Sequence, residues 1–417
     1  MVKMRLILLA VAIAFPILAT AQQNQKLRDR DPDLAGAKKL ASDLQQANFH
    51  YGSFYLLSRF RISDAGYSEG GFVPPGDQSG GLTLSVEAPH RLYYVPHRKV
   101  IFSAEAVPGY SFFREGANDR QFNYLLRGDA HFLLNHLYLD VYTLRADQLR
   151  AHVADINRLA TAREDETGVA GEIKYSSRTS ALFTARMRDT SYPTNRFQPD
   201  PGPSDTRIPL QILNRQEQNG RLSLLHRTFP RTSLFAAGEI SKYQFENKES
   251  YNSSRTYLGG GVAFDGGRTQ ARLEAGPMKL DFEDPLERDF SGVAAQARVT
   301  RTNGRWSYNL GADRDIGFSI FADNPYFVAT SGHAGVDYSA TRKLTLHGRT
   351  SYERDEYDTP VYDQERRDDI SFTSVGFSYA LRRINAGMDV GYYQRETTAF
   401  GDEASGIRYV FRLSFTP

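Results

Sequence analysis

Apolar and polar residues alternate with a period of two over most of the chain, from Tyr51 to the C-terminus. In Lys343–Asp355, for example, Leu344, Leu346 and Tyr352 alternate with charged or hydroxyl-bearing side chains. A period of two places successive side chains on opposite faces of a β-strand. The pattern therefore predicts an all-β protein, and it recurs in Phe122–Phe132, Ala181–Arg188, Gln270–Gly276, Gly292–Thr300, Trp306–Asp313 and Asn385–Arg395.

The connections between these stretches alternate between short turns and longer polar loops. Phe229–Arg231 and Thr302–Gly304 are typical turns, whereas Arg150–Glu166 and Glu356–Asp368 are typical loops. Bacterial outer-membrane barrels show this alternation, whereas a Greek-key sandwich has no reason to keep it. We predict a transmembrane antiparallel up-and-down β-barrel of about 18 strands, with about 16 as the alternative, since such barrels have an even strand number. Its apolar side chains would contact lipid, and its charged ones would line the lumen.

The N-terminus has the three parts of a secretory signal peptide. Lys3 and Arg5 form its charged region, Leu6–Leu18 its apolar region, and Ala19-Thr20-Ala21 its cleavage site. The apolar run is shorter than the roughly 20 residues that a membrane-spanning helix needs. We therefore predict export to the cell outer membrane, with a signal peptide at 1–21, a periplasmic segment at 22–50 and the barrel at 51–417.

One helix is predicted in the mature chain, at 32–48. Asp31 is a suitable N-cap, Pro32 a suitable first residue, and Leu34, Leu40 and Leu44 recur at helical spacing. A helix this short is marginal in water without a surface to pack on, and a barrel of this size leaves a lumen that side chains alone do not fill. We predict that the helix folds into the periplasmic mouth as a partial plug. Attachment outside the barrel, to a periplasmic partner, is the alternative.

Composition excludes several classes of function. The chain has no cysteine, which excludes disulfides and thiolate metal sites. Removing the signal peptide leaves 49 basic against 49 acidic residues, so the mature protein is neutral and nothing favours a nucleic-acid partner. The histidines are too widely spaced for a trusted ligand pattern, and we predict no metal and no cofactor.

Charged positions on the predicted lumen face are the candidate functional residues. Asp129 and His131 share one strand face, and Asp140 follows on the next strand, so a proton-transfer pair is geometrically possible. The sequence places no serine nucleophile next to these residues. The preferred interpretation is a network of paired charges that tunes the passage of solutes. The residues predicted to line the lumen and set selectivity are Arg127, Asp129, His131, Asp140, Arg186, Arg188, Arg272, Glu274, Arg298, Arg349, Asp389, Arg395 and Arg408.

The last strand is typical of the closing strand of an outer-membrane barrel. Tyr409, Phe411, Leu413 and Phe415 share one face, and we predict that they form the signal read by the outer-membrane assembly machinery. Thr416-Pro417 follows them, whereas such strands usually end on the aromatic residue. The other expected partners are outer-membrane lipid and lipopolysaccharide.

Four short segments between Leu222 and Pro417 resemble the putative beta-barrel porin 2 family, which has no catalytic residues to carry over. They are Thr228–Leu234, Arg288–Gly292, Tyr326–Thr330 and Asp368–Thr373. Because this family occurs among exopolysaccharide biosynthesis and export genes, the resemblance implies a porin-like barrel that passes polar solutes, with polysaccharide among the candidates. The alternatives are a structural or binding barrel with a blocked lumen and, least favoured, a lumenal hydrolase; we expect no enzyme.

Overall fold

The computed structural model describes residues 36–68, 81–113, 120–152, 158–193, 210–321, 324–358, 365–398 and 403–417. The predicted signal peptide and the predicted helix start at Asp31-Pro32 lie outside these ranges. The described part contains one α-helix, α1 (Gly36–Gln46), and no helix long and apolar enough to cross a membrane. Its strands are β1 (Phe49–Tyr51), β2 (Phe54–Ser58), β3 (Phe60–Ser68), β4 (Gly81–Glu87), β5 (His90–His97), β6 (Val100–Phe113), β7 (Arg120–Leu133), β8 (Leu137–His152), β9 (Arg158–Lys174), β10 (Thr179–Ser191), β11 (Arg215–Phe229), β12 (Thr232–Phe245), β13 (Ser253–Asp265), β14 (Thr269–Phe282), β15 (Phe290–Asn303), β16 (Trp306–Phe318), β17 (Tyr326–Ser339), β18 (Leu344–Tyr357), β19 (Arg367–Leu381), β20 (Ile384–Thr397) and β21 (Ala404–Phe415).

These strands form one closed antiparallel barrel. β2 and β3 together form one strand of the wall, and β4 and β5 together form the next. This follows from their pairing, since β2 pairs with β5 and β3 pairs with β4. The last strand, β21, pairs with both β20 and β3, which closes the sheet into a barrel. The short strand β1 adds a hairpin to β2. The predicted barrel of 18 strands is confirmed.

Side chains alternate between the inside and the outside of the wall as the sequence pattern predicts. In β12, Phe235, Glu239 and Tyr243 are buried inside the barrel, whereas Leu234 and Ile240 are 49% and 67% exposed on the outside. Exposed leucine, isoleucine and aromatic side chains are costly in water but favourable in lipid. The outer face is therefore suited to a membrane, and the inner face carries the polar groups.

The two ends of the barrel differ in their connections. One end, the turn mouth, has tight turns such as 230–231 and 304–305, and the other end, the loop mouth, has the longer connections. Gly304 and Gly267 take φ values of +60° and +79° in two of these turns, a conformation that favours glycine. In outer-membrane barrels the tight turns are periplasmic and the long loops are extracellular.

Helix α1 lies inside the turn mouth. Leu40 is buried against Tyr93 and Ile101, which face inward from β5 and β6. The helix ends at Gln46, two residues before the predicted end, because Asn48 bonds to the strand instead: its side chain exchanges two hydrogen bonds of 2.8 Å with the backbone of Ser58. The helix packs on the lumen wall, the surface that the plug hypothesis requires.

The connection between β16 and β17 folds into the lumen at the loop mouth. β15 and β16 pair only as far as Ala295 and Arg314, after which β16 leaves the wall. Phe318, at its end, packs edge-on against Tyr243 and Phe245 of β12, with ring centroids 5.0 and 4.8 Å apart. Since β12 lies on the far side of three intervening strands, this contact is possible only across the interior. We name the described residues 315–321 and 324–329 the inward hairpin.

Candidate functional site

The inner wall formed by β9 to β12 carries arginines that are held by glutamates. Arg186 Nη2 lies 3.2 Å from Glu217, and Arg188 Nε donates to Glu166 at 2.6 Å. Arg186 and Glu217 are almost fully buried, so neither charge could be left alone without a large desolvation cost. Each charge is therefore needed to stabilise its partner in the wall.

A second network joins β11, β13 and β14 to the inward hairpin. Arg221 donates to Glu239 at 3.0 Å and to Glu274 at 2.6 Å, and Arg272 contacts the same Glu274 at 3.2 Å. Arg255 donates to Glu239 at 3.1 Å and to Asp315 of the inward hairpin at 3.1 Å. Charge-assisted bonds of this kind are strong when water is excluded. The hairpin is thus fixed to β13 by a buried ion pair.

The charges on β17 to β21 form smaller groups along the rest of the wall. Asp389 is held by His347 at 2.6 Å and by Arg412 at 2.8 Å. Arg349 pairs with Asp337 at 2.5 Å, and Arg395 pairs with the fully buried Asp368 at 2.9 Å. Arg408 of β21 also pairs with Asp64 of β3, across the closure of the barrel.

Asp129, His131 and Asp140 come together on the inner face of β7 and β8. His131 Nδ1 lies 3.0 Å from Asp140, and Arg127 lies 2.6 Å from Asp129 and 3.6 Å from Asp140. One ligand atom from each of the two aspartates and the histidine lies within 4.8 Å of the others, a spacing that a metal ion could bridge. Arg127, however, already supplies the two carboxylates with the positive charge that a metal ion would bring.

The structure adds Ser103 of β6 to this group, a residue that sequence reasoning missed. Its Oγ lies 3.2 Å from His131 Nε2, so serine, histidine and Asp140 have the connectivity of a hydrolytic triad. The same hydroxyl also donates to Asp129 at 2.8 Å. Ser103 and His131 lie within paired strands, so their backbone N–H groups are engaged and cannot stabilise an oxyanion. The Ser103 hydroxyl is therefore shared between a buried carboxylate and the imidazole.

The inward hairpin packs inside the barrel through apolar side chains. Ile316, Phe318 and Ile320 are at most 1% exposed and pack with Leu213, Tyr251 and their neighbours. The Tyr251 hydroxyl also donates to the Phe321 carbonyl at 2.6 Å. On the other side, Arg366 lies over the Phe321 ring, 4.5 Å from its centroid. The hairpin is therefore held by contacts on both of its own sides.

Sequence reasoning did not identify this hairpin, nor Arg221, Arg255 and Asp315. A signal was present: Gly317–Phe321 is rich in large apolar residues, whereas a solvated outer loop is polar. The partners of the buried arginines could not be read from the chain, because they lie on strands that only the register brings together.

Several solved structures have a similar fold. OpdK of Pseudomonas aeruginosa, solved with vanillate, has 11% sequence identity and a TM-score of 0.53, covering 87% of this chain and 99% of that chain. OccK3 (OpdO) of the same organism has 14% identity and a TM-score of 0.48, covering 86% and 95%. A BenF-like porin from Pseudomonas fluorescens Pf-5 has 10% identity and a TM-score of 0.49, covering 87% and 99%. At these identities, the likeness to OpdK shows the fold alone.

The sequence profile described as Putative beta-barrel porin 2 matches residues 146–409, more than half of the chain. No curated protein matches. The matched range begins before Leu222, so it is wider than the resemblance carried by the short segments, and it includes the inward hairpin. The predicted family and outer-membrane location are confirmed. This chain belongs to the Putative beta-barrel porin 2 family of outer-membrane β-barrels.

Proposed function

We propose that this protein is an outer-membrane channel that lets polar solutes pass through its lumen. The observation that carries the proposal is the inner wall, where ion pairs such as Arg349 with Asp337 remain about one-third exposed. Partly hydrated charges of both signs offer a polar path to a solute, and lumenal charge tunes which solutes pass. A barrel with only a structural role would gain more stability from an apolar filling.

The inward hairpin favours small solutes over long chains. Its buried anchor to Arg255 and its apolar packing place the hairpin inside the barrel, which reduces the cross-section at the loop mouth. Polysaccharide, implied by the family resemblance, is the second candidate and requires a hairpin that moves aside or a path beside it. A fixed hairpin instead limits passage by size.

Reconstitution tests this proposal. Purified protein in planar bilayers should give discrete conductance steps, and proteoliposomes should swell in disaccharides faster than in oligosaccharides of increasing length. Heat-denatured protein at the same lipid ratio is the control. Absence of conductance from a heat-modifiable, correctly folded barrel would favour the structural alternative, and equal swelling in short and long oligosaccharides would favour polysaccharide passage.

A further inference from the structure

We infer that Arg298 is the centre of a lumenal subsite that binds the oxyanion group of a passing solute, such as a carboxylate or phosphate. The inference rests on the proposed channel function. Arg298 lies on the inner face of β15, half-buried, between the inward hairpin and the turn mouth. Among the described residues it makes no ion pair within 4.0 Å. Each of the other arginines predicted to line the lumen has a carboxylate partner, as found for Arg127, Arg186, Arg188, Arg272, Arg349, Arg395 and Arg408.

The position of Arg298 opposes another positive charge. Arg272 of β14 is its direct partner in the strand register, so both guanidinium groups leave the same face of adjacent strands. Like charges directly opposite each other destabilise a strand pair. The other lumenal arginines named above are paired with acids, whereas the repulsion between Arg272 and Arg298 remains. Such a repulsion destabilises the empty channel, and it is expected at a place where a bound anion would relieve it.

The nearby carboxylates are already occupied. Glu274, two residues from Arg272, is held by Arg221 at 2.6 Å and by the Tyr257 hydroxyl at 3.0 Å. Asp313, on β16, accepts a hydrogen bond from the Gln296 amide at 2.9 Å. Both acids lie on the loop mouth side of Arg298, because Glu274 and Asp313 are the register partners of Gln296. The guanidinium is left to face the lumen.

The neighbouring strands supply a further polar group on the same face. Gly311 of β16 is the register partner of Arg298, and His333 of β17 is the partner of Gly311. The imidazole of His333 lies over Gly311, where an added Cβ would come within 2.0 Å of its Cε1 atom. Glycine at 311 therefore allows the histidine ring to lie in the row of Arg272 and Arg298. The inner-face row therefore contains two guanidinium groups and one imidazole, and of these Arg272 is paired with Glu274.

This geometry suits an oxyanion because a guanidinium donates two parallel hydrogen bonds to a pair of oxygens. A solute that has passed the inward hairpin would meet this row before the turn mouth. The subsite would favour anions over cations without closing the channel, since Arg298 is only half-buried.

The test measures selectivity and stability on the full-length protein. In planar bilayers with a KCl gradient, Arg298→Gln should shift the reversal potential toward cations, and Arg298→Lys should retain most of the wild-type selectivity. Sodium benzoate and inorganic phosphate, used as probes, should reduce the KCl current of the wild type and reduce it less in Arg298→Gln. Arg301→Gln is the matched control, because Arg301 is exposed on the other face of the same strand.

Stability separates a binding role from a structural one. Since Arg298→Gln removes a like-charge repulsion, the variant should unfold at the same or a slightly higher denaturant concentration than the wild type. Lower stability would overturn the inference, because it would mean that Arg298 supports the wall. Unchanged selectivity and probe block in a conducting Arg298→Gln channel would also overturn it. A wild type that does not conduct would instead refute the proposed channel function.

Discussion

The two mouths of the barrel are both narrowed from inside, but by elements of different kinds. At the loop mouth the inward hairpin buries Phe318 almost completely, and its ion pair between Arg255 and Asp315 is only 1% and 3% exposed. At the turn mouth, α1 buries Leu40, but its ion pair between Arg91 and Asp43 remains 22% and 19% exposed. The hairpin is part of the core of the protein, whereas the helix is attached to its wall.

Chain connectivity explains this difference. The inward hairpin continues two strands that are paired to the sheet, so little extra entropy is lost when it folds. Helix α1 is connected to the barrel at only one described end, and a helix of 11 residues is marginal by itself. The hairpin should therefore resist removal, while the helix should be separable from the barrel. The following predictions test this contrast, from the largest effect to the smallest.

Breaking the hairpin anchor should have the largest effect. Arg255→Leu leaves Asp315 buried without its arginine, and removal of one partner of a buried ion pair costs about 3 to 5 kcal/mol. We expect the free energy of unfolding, measured by guanidinium titration in lipid vesicles, to fall by that amount. The control is Arg349→Leu, whose ion pair with Asp337 is about one-third exposed and should contribute only about 0 to 1 kcal/mol. Equal losses in the two variants would contradict a core role for the hairpin.

The contrast between the mouths was only partly visible in the sequence. Alternation of apolar and polar residues is local, so the strands, the two faces and the turns could be predicted from it. The helix was also predictable because Leu40 and Leu44 recur at its period. The apolar pattern also shifts at Gly276, from Leu273 on the outer face to Met278 and Leu280, which are buried inside the barrel.

The partners of the charged side chains could not be predicted because they depend on register and on contacts across the lumen. Arg255 and Asp315 are 60 residues apart, and nothing in either segment indicates the other. Ser103 likewise approaches His131 only through the register of β6 and β7. The inward course of 315–321 depends on apolar packing against β12, which a period-two pattern does not describe. The strands of the barrel can therefore be predicted from the sequence, whereas the side-chain contacts inside its lumen cannot.

Removal of the helix should change conductance more than stability. Deleting residues 22–47 removes α1 and leaves every strand of the barrel wall in place. We expect a larger or steadier open state in single-channel recordings, because the element that packs on the inner wall at the turn mouth is gone. The denaturant midpoint should stay close to that of the wild type. Unchanged conductance in a folded deletion variant would rule the plug out.

Weakening the attachment of α1 should give the smallest effect. Asp43 accepts hydrogen bonds from the Tyr93 hydroxyl at 2.7 Å and from Arg91 at 3.1 Å, and it joins the helix to the wall. Asp43→Asn keeps the shape of the side chain but removes its charge, while Arg91 keeps its second partner, Glu105. Since partly exposed ion pairs contribute about 0.2 to 1 kcal/mol, we expect the undocked helix to become up to about fivefold more populated.

Trypsin cleavage after Lys38 and Lys39 measures this population, because a protease cuts a helix only when it leaves its packing surface and unwinds. A double-mutant cycle of Asp43→Asn with Tyr93→Phe isolates the hydrogen bond, and exposed Gln45→Ala on the same helix is the control. If the contrast between the mouths holds, Asp43→Asn will speed cleavage while the unfolding of the barrel is unchanged. Loss of barrel stability in the same variant would mean that the helix is as much a part of the core as the inward hairpin is.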